Sequence, residues 1–194
     1  ASDVYKRQAY TLIASKNKKI NRLTTNSVVF IDPTLNPDGR DRHSQWANQY
    51  KSINLVADSN DAEHNESWPR GRTNHYWFDL NRDWLLAIHP ESRGKLNWLH
   101  EWYPNVVLDV HEMGTNSNYF FDPMKASASV KPLIPQENVD LYPIFAKYYV
   151  KYMDSIGSFY YSKESFDETY PGYGSTYSDL QGGLALLFEQ ASSR

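Results

Sequence analysis

Val106 to Gly114 read VVLDVHEMG, and the fold turns on this stretch. Val106, Val107 and Leu108 form a short β-branched apolar run, suited to a strand buried on both faces, and Asp109, His111 and Glu112 arrive as the run ends. Ligands in open α/β sheets gather where strands stop, so a histidine leaving such a strand is a candidate site residue. Taken alone, a histidine there is more often a structural group satisfied by its neighbours. The remainder of the chain gives this one its weight.

Downstream, Gly182 to Glu189, GGLALLFE, predicts a final buried strand that ends in a carboxylate. Upstream, Val28 to Ile31, VVFI, predicts another buried strand, bounded by Asp32 and Pro33, and Asn36-Pro37-Asp38-Gly39 reads as a dense turn. A modest helical pattern covers Ala9 to Leu23, and Ser44 to Lys51 reads as a short helix. Asp58 to Asn74 is a long polar loop. Pro90 opens a helix lined by Leu96, Leu99 and Trp102, which Pro104 ends. Tyr119 to Phe121 is a further strand, and Lys125 to Gln136 is irregular. Leu141, Ile144, Phe145, Tyr148, Tyr152 and Ile156 hold a helical period up to a stop at Gly157. Ser158 to Tyr161 reads as a strand, and Ser165 to Ser178 as a Tyr- and Gly-rich loop of the kind that makes a mobile lid. Strands alternating with helices predict a largely parallel sheet covered on both faces.

Composition narrows the function classes. With 194 residues the chain can bury a substantial core, and its net charge of -3 gives no basic footprint for nucleic acid. No apolar stretch approaches the roughly 18 residues of a spanning helix. Cysteine is absent, so any metal must be held by His, Asp or Glu. Aromatic residues make up 15% of the chain, which suits a peptide- or sugar-binding cleft as well as a ring-rich core. Asp3 to Gln8, DVYKRQ, can be read as a translated sequencing-library adapter, so residues 1–8 are set aside as a scar and 9–194 taken as part of one domain.

One more stretch carries chemistry. His75 to Trp84, HYWFDLNRDW, sets Asp79, Asn81, Arg82 and Asp83 among rings and Leu80, which predicts a salt-bridged turn or a strand or loop facing the core. Four segments now stand in order: LNPDG at Leu35 to Gly39, DLNRDW at Asp79 to Trp84, LDVHE at Leu108 to Glu112 and LLFEQ at Leu186 to Gln190. Together they resemble the motifs of the zinc metallocarboxypeptidases, peptidase family M14, from Ser27 to the C-terminus.

The resemblance implies a three-layer α/β/α domain around a mixed, largely parallel sheet, incomplete at both ends. It also implies hydrolysis of the C-terminal residue of a peptide with one zinc ion. His111 would then be a zinc ligand and Glu189 the general base and acid. Asn81 and Arg82 would hold the substrate's terminal carboxylate, for which arginine offers two parallel donors. Asp79 would orient a zinc-binding histidine, and Arg72, with Arg70 as its rival, would stabilise the developing oxyanion. Tyr170 or Tyr173 would be the lid tyrosine.

One departure is plain: none of the six histidines is followed three positions later by Glu, so the HxxE pair that supplies the family's first two zinc ligands is missing. The expectation is an N-terminally truncated fragment with that pair just upstream of Ala1, holding zinc poorly and inactive as it stands. A peptide substrate with a free C-terminal carboxylate and a secreted or periplasmic home follow from the resemblance alone. Two rivals remain: a non-catalytic peptide-binding module on the same fold, and a related zinc amidohydrolase acting on acylated amino acids or cell-wall peptides.

Overall fold

The computed structural model describes residues 2–125 and 133–192. At its centre lies β4 (Leu184–Ala191), whose run Leu184, Ala185, Leu186, Leu187, Phe188 is buried throughout. Such an unbroken apolar run needs cover on both faces. On one edge β4 pairs in parallel with β1 (Val106–Met113); on the other it pairs antiparallel with β2 (Tyr119–Phe121), which pairs in parallel with β3 (Tyr160–Tyr161). The sheet is therefore mixed, in the order β1-β4-β2-β3.

Side chains alternate along β4, and each face has its own layer. Leu184, Leu186 and Phe188 pack with Phe121 against Tyr142 and Met153 of α5 (Gln136–Ile156). On the opposite face Leu187 packs with Phe120 and Met124, and α6 (Gly174–Leu180) begins beside Asp109 of β1. Behind α6, Tyr177 joins Trp84 and the Leu96 and Leu99 side chains of α4 (Pro90–Trp102). Helix, sheet, helix is the three-layer arrangement that the sequence predicts. No helix among the described residues is long and apolar enough to cross a membrane.

β2 is short, and side-chain carboxylates take over where its ladder stops. Phe121 faces Phe188; beyond it the buried Asp122 carboxylate accepts the backbone N–H of Leu187, and Asp179 accepts that of Ala185 at 2.9 Å. Asp179 also accepts from Asn138 Nδ2 at 2.8 Å and from the Tyr142 hydroxyl at 2.6 Å, tying α6 to α5. Burial pushes its carboxyl up to about 6 against these three hydrogen bonds, and burial likewise pushes Asp122 well above the usual range.

The structure corrects several expectations. Val28 to Ile31 forms no strand among the described residues; Val28 is 70% exposed, and Phe30 instead meets Trp98 and Trp102 of α4 at 5.4 and 4.9 Å between ring centres. An apolar run becomes a strand only where a neighbour offers a ladder. Asn36 to Gly39 starts α3 (Pro37–Tyr50) rather than making a turn: Asn36 caps the helix by accepting from Gly39 N at 3.0 Å, and Pro37 sits in its first turn. That helix is accordingly longer than the predicted Ser44 to Lys51.

The first helical stretch is two helices, α1 (Ser2–Ala14), which takes in Asp3 to Gln8, and α2 (Lys18–Asn26), capped by Asn17. Part of the irregular Lys125 to Gln136 segment, 126–132, lies outside the described residues, and Gln136 already belongs to α5. In α5 the period is right but the face is not: Ile144, Tyr148, Tyr152 and Ile156 are exposed, while Tyr142, Phe145, Ala146, Tyr149, Val150 and Met153 meet the sheet. Two apolar stripes on one helix give the same period. Finally, the last five residues of the predicted Ser165 to Ser178 lid, from Gly174 on, belong to α6.

The Asp179 network gives a test with a definite sign. A carboxyl whose folded pKa is raised adds stability below its unfolded value, near 4, and loses that contribution as pH rises through about 6. Urea denaturation of Asp179→Asn should therefore show the variant gaining on the parent by about 1 kcal/mol or more between pH 4 and 7. Asp179→Ala, which strands three buried donors, should lose about 3 kcal/mol or more at all pH values. A parent-to-Asn difference independent of pH would show that Asp179 ionises as freely in the fold as outside it.

Candidate functional site

The register of β1 on β4 places His111 opposite Glu189, both on the face away from α5. Asp109, two residues earlier on the same face, lies opposite Leu187. His111, Leu187 and Glu189 form one wall of a cleft of about 270 Å³, lined also by Arg72, Asn81, Arg82, Tyr173 and Ser175, with Ser165, Phe166 and Asp167 from the loop before α6.

Arg72 reaches this cleft because α3 clasps its loop. Asn36, besides capping α3, donates through Nδ2 to Arg72 O at 3.2 Å, and Gly39 lies so close to Gly71 that a Cβ there would come within 2.2 Å of the Gly71 carbonyl. Arg42 donates to the carbonyls of Arg70 (3.1 Å), Thr73 and Asn74 (3.2 Å). Asn36, Gly39 and Arg42 thus hold the segment that bears Arg72, while Arg40 pairs with its neighbour Asp41 at 3.7 Å. Arg72 lines the cleft, whereas Arg70 is not among the lining residues.

The DLNRDW segment folds as a single 3₁₀ turn, Leu80–Arg82, anchored by the buried Leu80 and Trp84. Asp79 caps it by accepting from Asn81 N at 2.9 Å, and its other oxygen takes Arg72 Nε at 2.9 Å and faces Arg82 Nη1 at 3.8 Å. Its carboxylate therefore joins the two guanidinium groups, and the carboxylate on His111 is that of Asp109 instead, with Oδ1 2.9 Å from Nε2. Asn81 bridges two elements: Oδ1 accepts from Gly174 N at 2.8 Å, and Nδ2 lies 3.2 Å from His111 Nε2. The Arg82 guanidinium stacks over Tyr173, 4.4 Å from the ring centre. Tyr170 donates to Arg82 O at 2.9 Å and packs edge-on against Tyr173, which is the one of the two that lines the cleft.

Charge in the cleft is unevenly solvated. Arg72 and Arg82 are about half exposed, while Glu189 is only 8% exposed. Burial raises the Glu189 carboxyl above the usual range, as does Asp109, while His111 and Arg72 pull it back. For His111, burial lowers the pKa, but the bond to Asp109 and the charges of Asp109 and Glu189 outweigh it, and the net shift is upward. A carboxyl held out of water beside an imidazole and a guanidinium keeps its proton more readily than an exposed one, which suits a group that takes up and returns a proton.

A zinc site needs three or four protein donors. Among the described residues no group of three His, Asp or Glu could hold a metal ion, so these residues do not by themselves make the centre that the motifs imply. Glu112 accepts from Gln190 at 3.3 Å, and His100 shares a hydrogen bond with the Tyr177 hydroxyl at 2.8 Å. The sequence reading assigned no role to Asp109, Asp167 or Ser175. For Asp109 a signal existed, the period of two that puts it on the face of His111; Asp167 and Ser175 fall inside the Ser165 to Ser178 stretch that reads as a lid.

Comparison with known proteins agrees with the motifs. The family model for zinc carboxypeptidases, peptidase M14, matches residues 1–184, a stretch that holds LNPDG, DLNRDW and LDVHE and ends just before Glu189. Among solved structures, a metallo-carboxypeptidase from Burkholderia cenocepacia is 17% identical with a TM-score of 0.46, over 82% of this chain and 35% of that one. The chain thus spans about a third of that protein's length. No curated protein matches. With the family model covering most of its length, the chain belongs to the zinc carboxypeptidase family, peptidase M14.

Proposed function

We propose that this cleft serves an exopeptidase that removes C-terminal residues from peptides. The observation that carries the reading is the meeting of two half-exposed guanidinium groups and one buried carboxylate around a space of about 270 Å³. Arg82, with Asn81 beside it, receives the substrate's terminal carboxylate through paired N–H donors, and the Tyr173 ring beneath the guanidinium keeps its plane turned to the space. Arg72, pinned by Asp79, offers positive charge to the carbonyl oxygen as it becomes an oxyanion. Glu189, its carboxyl raised by burial, takes up a proton from the attacking water and returns it to the leaving amine. Tyr173 closes the side nearest the loop before α6.

The family's metal is zinc, and His111 is the imidazole in this cleft that would contribute to holding it. The steps above use only groups that the chain carries.

A second reading has its own support. The Arg82, Asn81 and Tyr173 wall is complete without any reacting group, so a peptide-binding module could use it unchanged. Turnover separates the two.

Calorimetric titration with short peptides should show free C-terminal acids binding at least about tenfold tighter than their amides, an advantage that Arg82→Ala abolishes. Equal affinity for acid and amide in the parent would remove Arg82 from carboxylate recognition. In whatever form turns peptides over, Glu189→Gln should lower kcat by about 10²- to 10⁴-fold with little change in KM. Unchanged turnover would take Glu189 out of the chemistry, and binding without any turnover would favour the module.

A further inference from the structure

We propose that the groove between α5 and the segments leaving β2 and β3 is a second binding site, which takes a medium-chain fatty acid. Its volume of about 540 Å³ falls within the roughly 300–1,000 Å³ of small-molecule sites, and none of its lining residues borders the cleft.

One wall is a helical stripe. Pro143, Ala146, Lys147, Val150, Lys151 and Asp154 recur at intervals of three and four, so they share one side of α5. Ala146 and Val150 also pack against the sheet core, and the stripe lies apart from the exposed row of Ile144, Tyr148 and Tyr152. At about 1.5 Å per residue it runs about 16 Å along the helix, which makes the groove long rather than round. The opposite wall is Phe121, Pro123, Ser162 and Lys163. Lys163 N donates to Pro123 O at 2.7 Å, joining the two strand exits. Lys163 sits there at φ +65°, a left-handed conformation that side chains rarely adopt.

Charge and apolar surface then define the occupant. Lys147, Lys151 and Lys163 bring three ammonium groups to a groove whose one carboxylate, Asp154, already accepts the Tyr160 hydroxyl at 3.0 Å. Among the described residues none of the three lysines makes an ion pair. Lys147 and Lys151 stand one turn apart, where like charges work against the helix. An anion relieves that repulsion. Beneath the charges lie Phe121, Pro123, Pro143, Ala146 and Val150, which a small inorganic anion would leave wetted and an alkyl chain covers. A neutral chain, in turn, would leave three cations unanswered. A long groove with an apolar floor and a cationic rim therefore suits an extended chain that ends in a carboxylate.

Amide and methyl NMR titrations with decanoate, kept below its micelle concentration, test this on the chain as it stands. Decanoate should shift Ala146, Val150, Lys151 and Lys163 saturably. 1-Decanol, the same chain without charge, and acetate, the same charge without chain, should each bind there at least about tenfold more weakly. The double variant Lys147→Gln, Lys151→Gln changes exposed side chains and should weaken decanoate about tenfold while leaving 1-decanol unaltered. Equal affinity for decanol would reduce the groove to apolar surface, and equal affinity for acetate would reduce it to a patch of charge; either overturns the proposal. So do shifts confined to Asn81, Arg82 and their neighbours, which would seat the acid in the cleft, and a double variant that binds decanoate like the parent.

Discussion

The structure depends on the in-register parallel pairing of β1 with β4. Side chains alternate along both strands, so the pairing does two things at once: it buries Leu184, Leu186 and Phe188 under α5 and turns His111 and Glu189 together to the other face. A slip of one residue in β4 would exchange its two faces, leaving the Glu189 carboxylate in the α5 core and Phe188 in the cleft. Hydrophobic burial thereby fixes the position of polar groups that contribute nothing to it. The carboxylates of Asp122 and Asp179 complete the outer edge of β4, satisfying the N–H groups of Leu187 and Ala185 where short β2 cannot reach.

The other half of the cleft comes from loops, and loops need clamps. Asn36, Gly39 and Arg42 press α3 onto the segment that bears Arg72, and the Asp79 carboxylate ties that arginine to the 3₁₀ turn that bears Asn81 and Arg82. Asn81 closes the circuit through Gly174 to α6 and toward His111 on β1. What looks in the sequence like four separate words is one connected set of hydrogen bonds.

That difference marks what could be read from the chain alone. LLFE was legible as a strand because a buried run of leucines has few other uses, and α4 from Pro90 and its apolar spacing. The β-branched run before LDVHE also marked a strand, but not one buried on both faces, since Val106 and Leu108 of β1 are exposed. The stripe of α5 that meets the sheet was not legible, because Leu141, Ile144, Tyr148, Tyr152 and Ile156 repeat with the same period as the stripe that is buried. VVFI carries every local mark of a strand, yet a strand is a relation between two segments, and one segment cannot state it. Asn36-Pro37 serves turns and helix starts equally, since a capping amide and a fixed φ suit both. Asp109 stood in plain view beside His111, but its burial depends on Gly174 and Trp84, which lie far away in the sequence and close only the folded site.

Cross-strand nuclear Overhauser contacts test the central pairing most directly. The account predicts contacts that link His111 with Glu189 and Gln190, and Asp109 with Leu187 and Phe188, as a parallel ladder in this register requires. A pattern displaced by one residue, with His111 set against Phe188, would turn Glu189 toward α5 and contradict it.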